Sequence, residues 1–265
     1  MRPQCPVRSR GSAIRRGVAG PGRFATDMGP GYDVQVRSSA SAEHQKRRVQ
    51  PIGIFGGTFD PIHFGHLRPA QEIMRTLALE EVRFIPAAVP PHRQAPVASA
   101  DERLRMVEIA VSGIAGFRAD DREIRRSGPS YTVPTLESFR AELGRRPLCL
   151  VIGMDAFGGI ESWYRAHDLP GLAHLVVVQR PGWDFVPEDE TLPSWLRGRR
   201  CEDPAQITDA PAGRLVFQAV SPQNISGSHI RAMLACGESV RGMLPAAVEE
   251  FIESRGLYRN PTQRM

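Results

Sequence analysis

Residues 56–67 read Gly-Gly-Thr-Phe-Asp-Pro-Ile-His-Phe-Gly-His-Leu, and their flanks fix how the chain runs through them. Before them lies a short apolar run, Ile52-Gly53-Ile54-Phe55. After them Leu67, Ala70, Ile73 and Leu77 recur at three- and four-residue spacing, the period of a half-buried helix. The reading is a strand, a Gly-Gly turn, a Pro-bounded loop and a helix start. His63 and His66 fall where the helix opens, where backbone N–H groups and the positive end of the helix dipole favour an anion such as phosphate. Gly65 between them lets a ligand approach the backbone. The segment matches neither the dinucleotide fingerprint GxGxxG nor the P-loop GxxxxGK[ST].

From Pro51 onward apolar runs alternate with helical patterns. Strands are expected at 52–56, 82–86, 148–152, 174–179 and 214–219, each short and continuously apolar or β-branched, as when both faces of a parallel sheet are covered. Helices are expected at 66–79, 101–113, 133–143, 228–236 and 245–254. Ser99 and Glu102 have the spacing of a capping box. Pro245 and Gly256 bracket the last helix in the usual Pro-in, Gly-out order. Residues 181–212, rich in Pro, Asp and Gly, read as a long irregular insertion. The alternation predicts a Rossmann-like, doubly wound parallel α/β sheet with helices on both faces, in a single domain over 49–259.

Charge separates the start of the chain from this domain. Ten of the 34 Lys and Arg but only three of the 29 Asp and Glu fall in residues 1–50, a local net of +7 that leaves the remainder at −2. Residues 1–48, rich in Arg, Gly, Ser and Pro and without periodicity, read as a disordered basic tail. A transit peptide and a misassigned start, with Met28 as an internal alternative, are the competing readings. Residues 260–265 read as a short C-terminal tail. The near-neutral domain gives no support for a nucleic-acid track. Four scattered cysteines without a CxxC pair fit a reducing cytoplasm. No apolar run approaches the ~18 residues of a membrane span, so no membrane partner is expected.

The twelve-residue segment resembles the HxGH nucleotidyltransferases, and its fuller form GGTFDPIHxGHL resembles the bacterial nicotinate-nucleotide adenylyltransferase family. Other segments agree in the same order: PAAVPPHR at 86–93, with Arg93 where Lys is usual; RLRM at 103–106; DREIRRSGPSYTVPTL at 121–136; IGMDAFGGIESWYRAHDL at 152–169; VVVQRPG at 176–182; ISGSHIR at 225–231. In the last, Gly227 and Ser228 stand where the family form I-S-S-T-x-I-R has Ser and Thr. The resemblance covers about 52–259.

The resemblance implies transfer of AMP from ATP to nicotinate mononucleotide, giving deamido-NAD and pyrophosphate in NAD biosynthesis, with Mg²⁺ accompanying ATP. It implies His63 and His66 as the catalytic contacts to the ATP phosphates. Gly56, Gly57, Thr58 and Phe59 would cradle the nucleotide, Ser228 and Arg231 would hold the distal phosphates, and Asp155 would meet ribose or adenosine. Tyr131 and Thr132 would hold the acceptor's carboxylate and Trp163 would stack on its ring, while His92 and Arg93 are candidate phosphate contacts. No residue cluster suggests a protein-held metal. Asp60-Pro61 reads as turn chemistry. The bland readings are a Ser N-cap with a surface Arg for Ser228 and Arg231, a turn cap for Asp155, a packing aromatic for Trp163 and a simple N-cap for Thr132. Nicotinamide mononucleotide as acceptor, phosphopantetheine adenylylation, a non-catalytic nucleotide sensor and self-association all remain open on sequence.

Overall fold

Six parallel strands form one sheet in the computed structural model, which describes residues 49–90, 95–179 and 187–259. In chain order the elements are β1 Ile52–Gly57, α1 Phe64–Thr76, β2 Glu81–Pro86, α2 Ala100–Val111, β3 Phe117–Ala119, α3 Arg122–Arg125, α4 Thr132–Leu143, β4 Leu148–Gly153, α5 Met154–Phe157, α6 Leu169–Leu172, β5 His174–Gln179, β6 Leu215–Ala219, α7 Gly227–Ala235 and α8 Ala246–Arg255. The strand order is β3-β2-β1-β4-β5-β6. The chain winds outward from β1 in one direction, returns to its other side and winds outward again.

Side chains alternate between the two faces, as the two-residue period of a strand requires. On β4, Leu148, Leu150 and Ile152 join one core with Val133, Leu136 and Phe139 of α4. Cys149 and Val151 join the opposite core with Leu67, Ala70 and Ile73 of α1, Met106 and Val107 of α2, and Val248 and Ile252 of α8. β5 repeats the pattern, with Leu175 and Val177 on the first face and Val176 and Val178 on the second. Two buried faces explain why these strands read as unbroken apolar runs.

The helix ends follow the sequence signals. The Ser99 hydroxyl accepts from the Glu102 amide at 3.3 Å while the Glu102 carboxylate accepts from the Ser99 amide at 2.8 Å, a closed capping box. Pro245 is the N-cap of α8, and Gly256 ends it at φ 60°, a conformation glycine takes without a Cβ penalty.

Two expectations need correction. β3 was not anticipated: it has three residues, of which only Phe117 is buried, too short for alternation to show. α1 starts at Phe64, not at 66, because an imidazole supplies the cap, and stops at Thr76, not at 79, where Leu77 and the left-handed Ala78, φ 47°, leave helical geometry. Residues 187–212 carry only short 3₁₀ turns and an isolated bridge from Arg200 to Leu215, in keeping with an irregular insertion; 180–186 lie outside the described residues, as do both tails, 1–48 and 260–265. Among the described residues no helix is long and apolar enough to cross a membrane.

The sheet positions the site. β1 pairs with β4 only from Ile52 to Ile54, opposite Leu148 to Leu150. Beyond that point β1 pairs with β2 as far as Gly57, and β4 pairs with β5 as far as Gly153. The two central strands therefore part at their carboxyl ends. Strand order reverses at this point, where open α/β sheets bind ligands.

Candidate active site

The HxGH spacing is a helix-capping spacing. His63 is the N-cap of α1, with extended backbone at φ −152°, ψ 172°, and His66 is the third helical residue. The His63 amide donates to His66 Nδ1 at 3.3 Å, so His66 takes the part that Glu or Gln plays in an ordinary capping box. An Nδ1 that accepts a hydrogen bond carries no proton, so the neutral ring holds its proton on Nε2 and can donate there. The two imidazoles stack at 3.8 Å between centroids, 28° from parallel. His63 is buried at 4 % exposure, and the edge of the Phe59 ring supports His66 at 5.1 Å.

The amides of the helix start are less available than the sequence implies. The Phe64 amide donates to Met243 O at 2.9 Å, and the amides of His66 and Leu67 donate to His63 O at 2.9 and 3.2 Å. These three amides are thus already paired within the protein.

Gly65 is required by its surroundings. A Cβ there would lie 2.8 Å from the His63 ring and 2.9 Å from Ile225 O, well inside van der Waals contact. Its absence lets His63 fold over the helix start and lets the 221–226 segment press against α1. Arg68 donates to Gln223 Oε1 at 2.8 Å, and Glu72 accepts from the Ser221 amide at 2.8 Å, which fixes the approach. The ISGSHIR segment, about 160 positions downstream, is thereby set beside the HxGH segment.

In that motif the N-cap of α7 is Ser226, whose hydroxyl accepts from the His229 amide at 3.2 Å. Ser228 is therefore not the cap of this helix; its exposed hydroxyl lies in the first turn, where it accepts from Arg231 Nη2 at 3.3 Å. Arg231 Nη1 donates to the Asp60 carbonyl oxygen at 2.6 Å. On β1, Gly56 is exposed with open space on its side-chain side, while Gly57 is covered by the Phe59 ring, 2.9 Å from where a Cβ would sit. Phe59 itself is a core residue at 2 % exposure, so only its backbone can face a nucleotide, whereas Thr58 is half-buried.

On the other side of the parting strands lies a cavity of about 110 Å³. Its wall includes Gly56, Gly57, Ile85, Glu123, Ser130, Thr132, Thr135, Ile152 and Trp163. Thr132 and Trp163 are thus brought to one cavity, with Trp163 also packed on the core. Tyr131 is the N-cap of α4, one position earlier than expected from Thr132. It stands outside the wall, stacked on Tyr164 at 4.6 Å, and ties the start of α4 to the segment carrying Trp163. Asp155 is exposed in α5, outside the cavity wall, with its carboxylate folded over Gly153, where a Cβ would meet Oδ1 at 2.5 Å. His92 and Arg93 lie outside the described residues.

Two residues, Arg103 and Glu123, escaped the sequence reading, and a third, Asp60, does more than the turn chemistry expected of it. Arg103, 1 % exposed, donates to Thr58 O at 2.8 Å, Ala87 O at 2.6 Å, Ala88 O at 3.3 Å and Ala98 O at 3.2 Å. It stitches the loop after β1 to Ala87, Ala88 and Ala98; burial lowers its pKa against the attraction of Asp60. Glu123 sits buried on the cavity wall and accepts from the Thr135 hydroxyl at 2.6 Å. Burial pushes its carboxyl above the ordinary value, opposed by hydrogen bonds from Thr135 and Ser130 and by the Arg126 charge. Asp60 accepts from the Val97 and Ala98 amides at 2.9 and 3.1 Å and from the Tyr258 hydroxyl at 2.7 Å. The turn reading of Asp60 thus extends to a long-range anchor, with both carboxylate oxygens accepting from N–H and O–H donors. Among the described residues no group of three or more His, Cys, Asp or Glu converges as a metal site needs. Arg103 lies in the RLRM segment and Glu123 in the DREIRR segment, so the resemblance marked both stretches without indicating what their side chains do.

Comparison with known proteins agrees with this geometry. The family model described as "Cytidylyltransferase-like" matches residues 54–233. A protein of Methylococcus capsulatus named "Probable nicotinate-nucleotide adenylyltransferase" is 47% identical over 208 residues, covering 78% of this chain and 99% of its own. A protein of the same name from Halorhodospira halophila is 45% identical over 217 residues, covering 82% and 99%. Among solved structures, Plasmodium falciparum nicotinic acid mononucleotide adenylyltransferase complexed with NaAD superposes with a TM-score of 0.61 at 16% identity, over 79% of this chain and 97% of that one, and so shares the fold. With the HxGH helix cap at the sheet's reversal point and relatives of nearly half-identical sequence over almost their full lengths, the chain belongs to the cytidylyltransferase-like nucleotidyltransferases and, within them, to the nicotinate-nucleotide adenylyltransferase family.

Proposed function

We infer that this protein transfers AMP from ATP to nicotinate mononucleotide, releasing pyrophosphate and forming deamido-NAD. The observation that carries the reading is the convergence of His63 and His66 with Ser228 and Arg231 across the Gly65–Ile225 contact, next to a cavity walled by Thr132 and Trp163.

The acceptor's phosphate oxygen attacks the α-phosphorus of ATP, and the bond from that phosphorus to the bridging oxygen of the β-phosphate breaks. The attacking group is already an anion, so no protein nucleophile is needed. What the protein supplies is alignment, which contributes about 7–11 kcal/mol in favourable cases, and donors aimed at the developing charge. His66 Nε2–H and the His63 ring serve the α-phosphate and the departing pyrophosphate. Ser228 and the cationic Arg231 serve the distal phosphates; a planar guanidinium suits two oxygens at once. Mg²⁺ accompanying ATP would offset phosphate charge, and phosphate oxygens and water rather than a protein carboxylate cage would hold it. The acceptor's ring fits the cavity against Trp163, and its carboxylate meets the start of α4 at Tyr131 and Thr132. Cys149 and Cys201 are buried free thiols, in keeping with a reducing cytoplasm.

Pyrophosphate release, measured with nicotinate and nicotinamide mononucleotides side by side, tests the reading. A charge-assisted hydrogen bond outweighs a neutral one by about 1.4 kcal/mol, so the acid is expected to win by about tenfold or more in kcat/KM. Equal turnover of the amide would contradict the acceptor assignment. No pyrophosphate from either would contradict the reaction.

A further inference from the structure

Asp60 joins four segments that are far apart in the chain. Oδ1 accepts from the Tyr258 hydroxyl and the Ala98 amide, and Oδ2 from the Val97 amide. Arg231 Nη1 stands 3.8 Å from Oδ2, yet its hydrogen bond, at 2.6 Å, goes to the main-chain carbonyl of Asp60. The carboxylate therefore takes three hydrogen bonds from neutral donors, while Arg231 pairs with it only at a distance and Arg103 adds a second cation nearby. The short hydrogen bond of the guanidinium goes to an oxygen without net charge, which competes poorly with a phosphate.

The backbone is bent to make this arrangement. Tyr258 follows the helix-ending Gly256 and itself takes a left-handed conformation, φ 64°, while Phe59, next to Asp60, does so at φ 49°. Residues with side chains rarely take that region, and such outliers point to a functional constraint. Tyr258 is 6 % exposed, and burial together with the Asp60 charge raises its pKa and keeps the phenol a donor.

We propose that Tyr258 is a positioning residue for ATP: its hydroxyl shares the charge of Asp60, which keeps the ion pair from Oδ2 to Arg231 long and leaves the guanidinium to the distal phosphates. The inference rests on the reading of Arg231 as a phosphate contact.

The test is Tyr258→Phe in the full chain, which removes one oxygen and keeps the ring. A hydrogen bond to a charged group has the size to raise the KM for ATP about tenfold. kcat is expected to stay within about twofold and the KM for nicotinate mononucleotide to stay unchanged, since neither depends on Arg231 reach. In an Arg231→Ala background, Tyr258→Phe should raise the KM no further. An unchanged ATP KM, parallel rises in both KM values, or additive losses in the double variant would overturn the proposal. Calorimetry of ATP binding without acceptor separates this from a failed reaction assignment, which would show normal ATP binding and no pyrophosphate. Should Tyr258→Phe not fold, 3-fluorotyrosine NMR of the wild-type chain decides: the Tyr258 resonance, assigned by Tyr→Phe changes at the other three tyrosines, is expected to move with ATP alone and not with the mononucleotide alone. A resonance indifferent to ATP would overturn the proposal equally.

Discussion

His66→Ala lowers turnover by about 100-fold or more, the loss typical when one preorganised donor is removed from a developing oxyanion. The fold survives, because His66 is only partly buried and its structural part is one cap acceptor for the His63 amide. Losing a cap bond costs about 1 kcal/mol. The two parts separate with His66→Glu. A carboxylate at the third helical position restores the capping box, so this variant should melt at or above the alanine variant. It also sets an anion against the triphosphate, so its turnover should fall below that of His66→Ala. Thermal unfolding and steady-state kinetics of both variants check the pair. Near-normal turnover of His66→Ala would contradict the catalytic role. A glutamate variant less stable than the alanine would contradict the cap.

Arg103→Leu produces the largest expected loss of stability. Its guanidinium supplies donors to four main-chain carbonyls, at Thr58, Ala87, Ala88 and Ala98, and it is the second cation beside Asp60. Leucine leaves those oxygens buried without their donor, at about 1–3 kcal/mol for each that water cannot reach. A total of about 3 kcal/mol or more lowers the melting temperature by roughly 6–12 °C in a chain of this size. Arg103→Lys is expected to recover little, since a single ammonium cannot span four acceptors in that planar arrangement. A leucine variant melting within about 2 °C of the parent would contradict the account.

These two residues differ in how visible they were. His63 and His66 announced themselves because a motif is local: strand, turn and helix start lie within about 20 residues, and each has its own composition. The parallel sheet was legible for the same reason, since runs such as Leu148–Ile152 are apolar at every position when both faces are covered. β3 was not, because Phe117-Arg118-Ala119 offers one buried residue and no period. The cap of α1 was missed because an imidazole is not among the usual capping side chains. Arg103 and Glu123 carry no local signal of burial, since most such residues lie on solvated surfaces; only the packed chain shows them buried. The link from Tyr258 to Asp60 spans 198 positions, and no spacing rule reaches that far. Local chemistry was thus readable and long-range support was not. The resemblance to a family narrowed the gap by marking stretches, but it did not say which side chain in RLRM turns inward.

The central claim is that the stacked imidazoles of His63 and His66 receive the ATP phosphates. A crystal structure with a non-hydrolysable ATP analogue and Mg²⁺ tests it most directly. The account predicts ring nitrogens of both histidines within about 3.2 Å of phosphate oxygens, with the Arg231 guanidinium on the distal phosphates. An analogue bound in the same cleft with its phosphates turned away from both rings would contradict it.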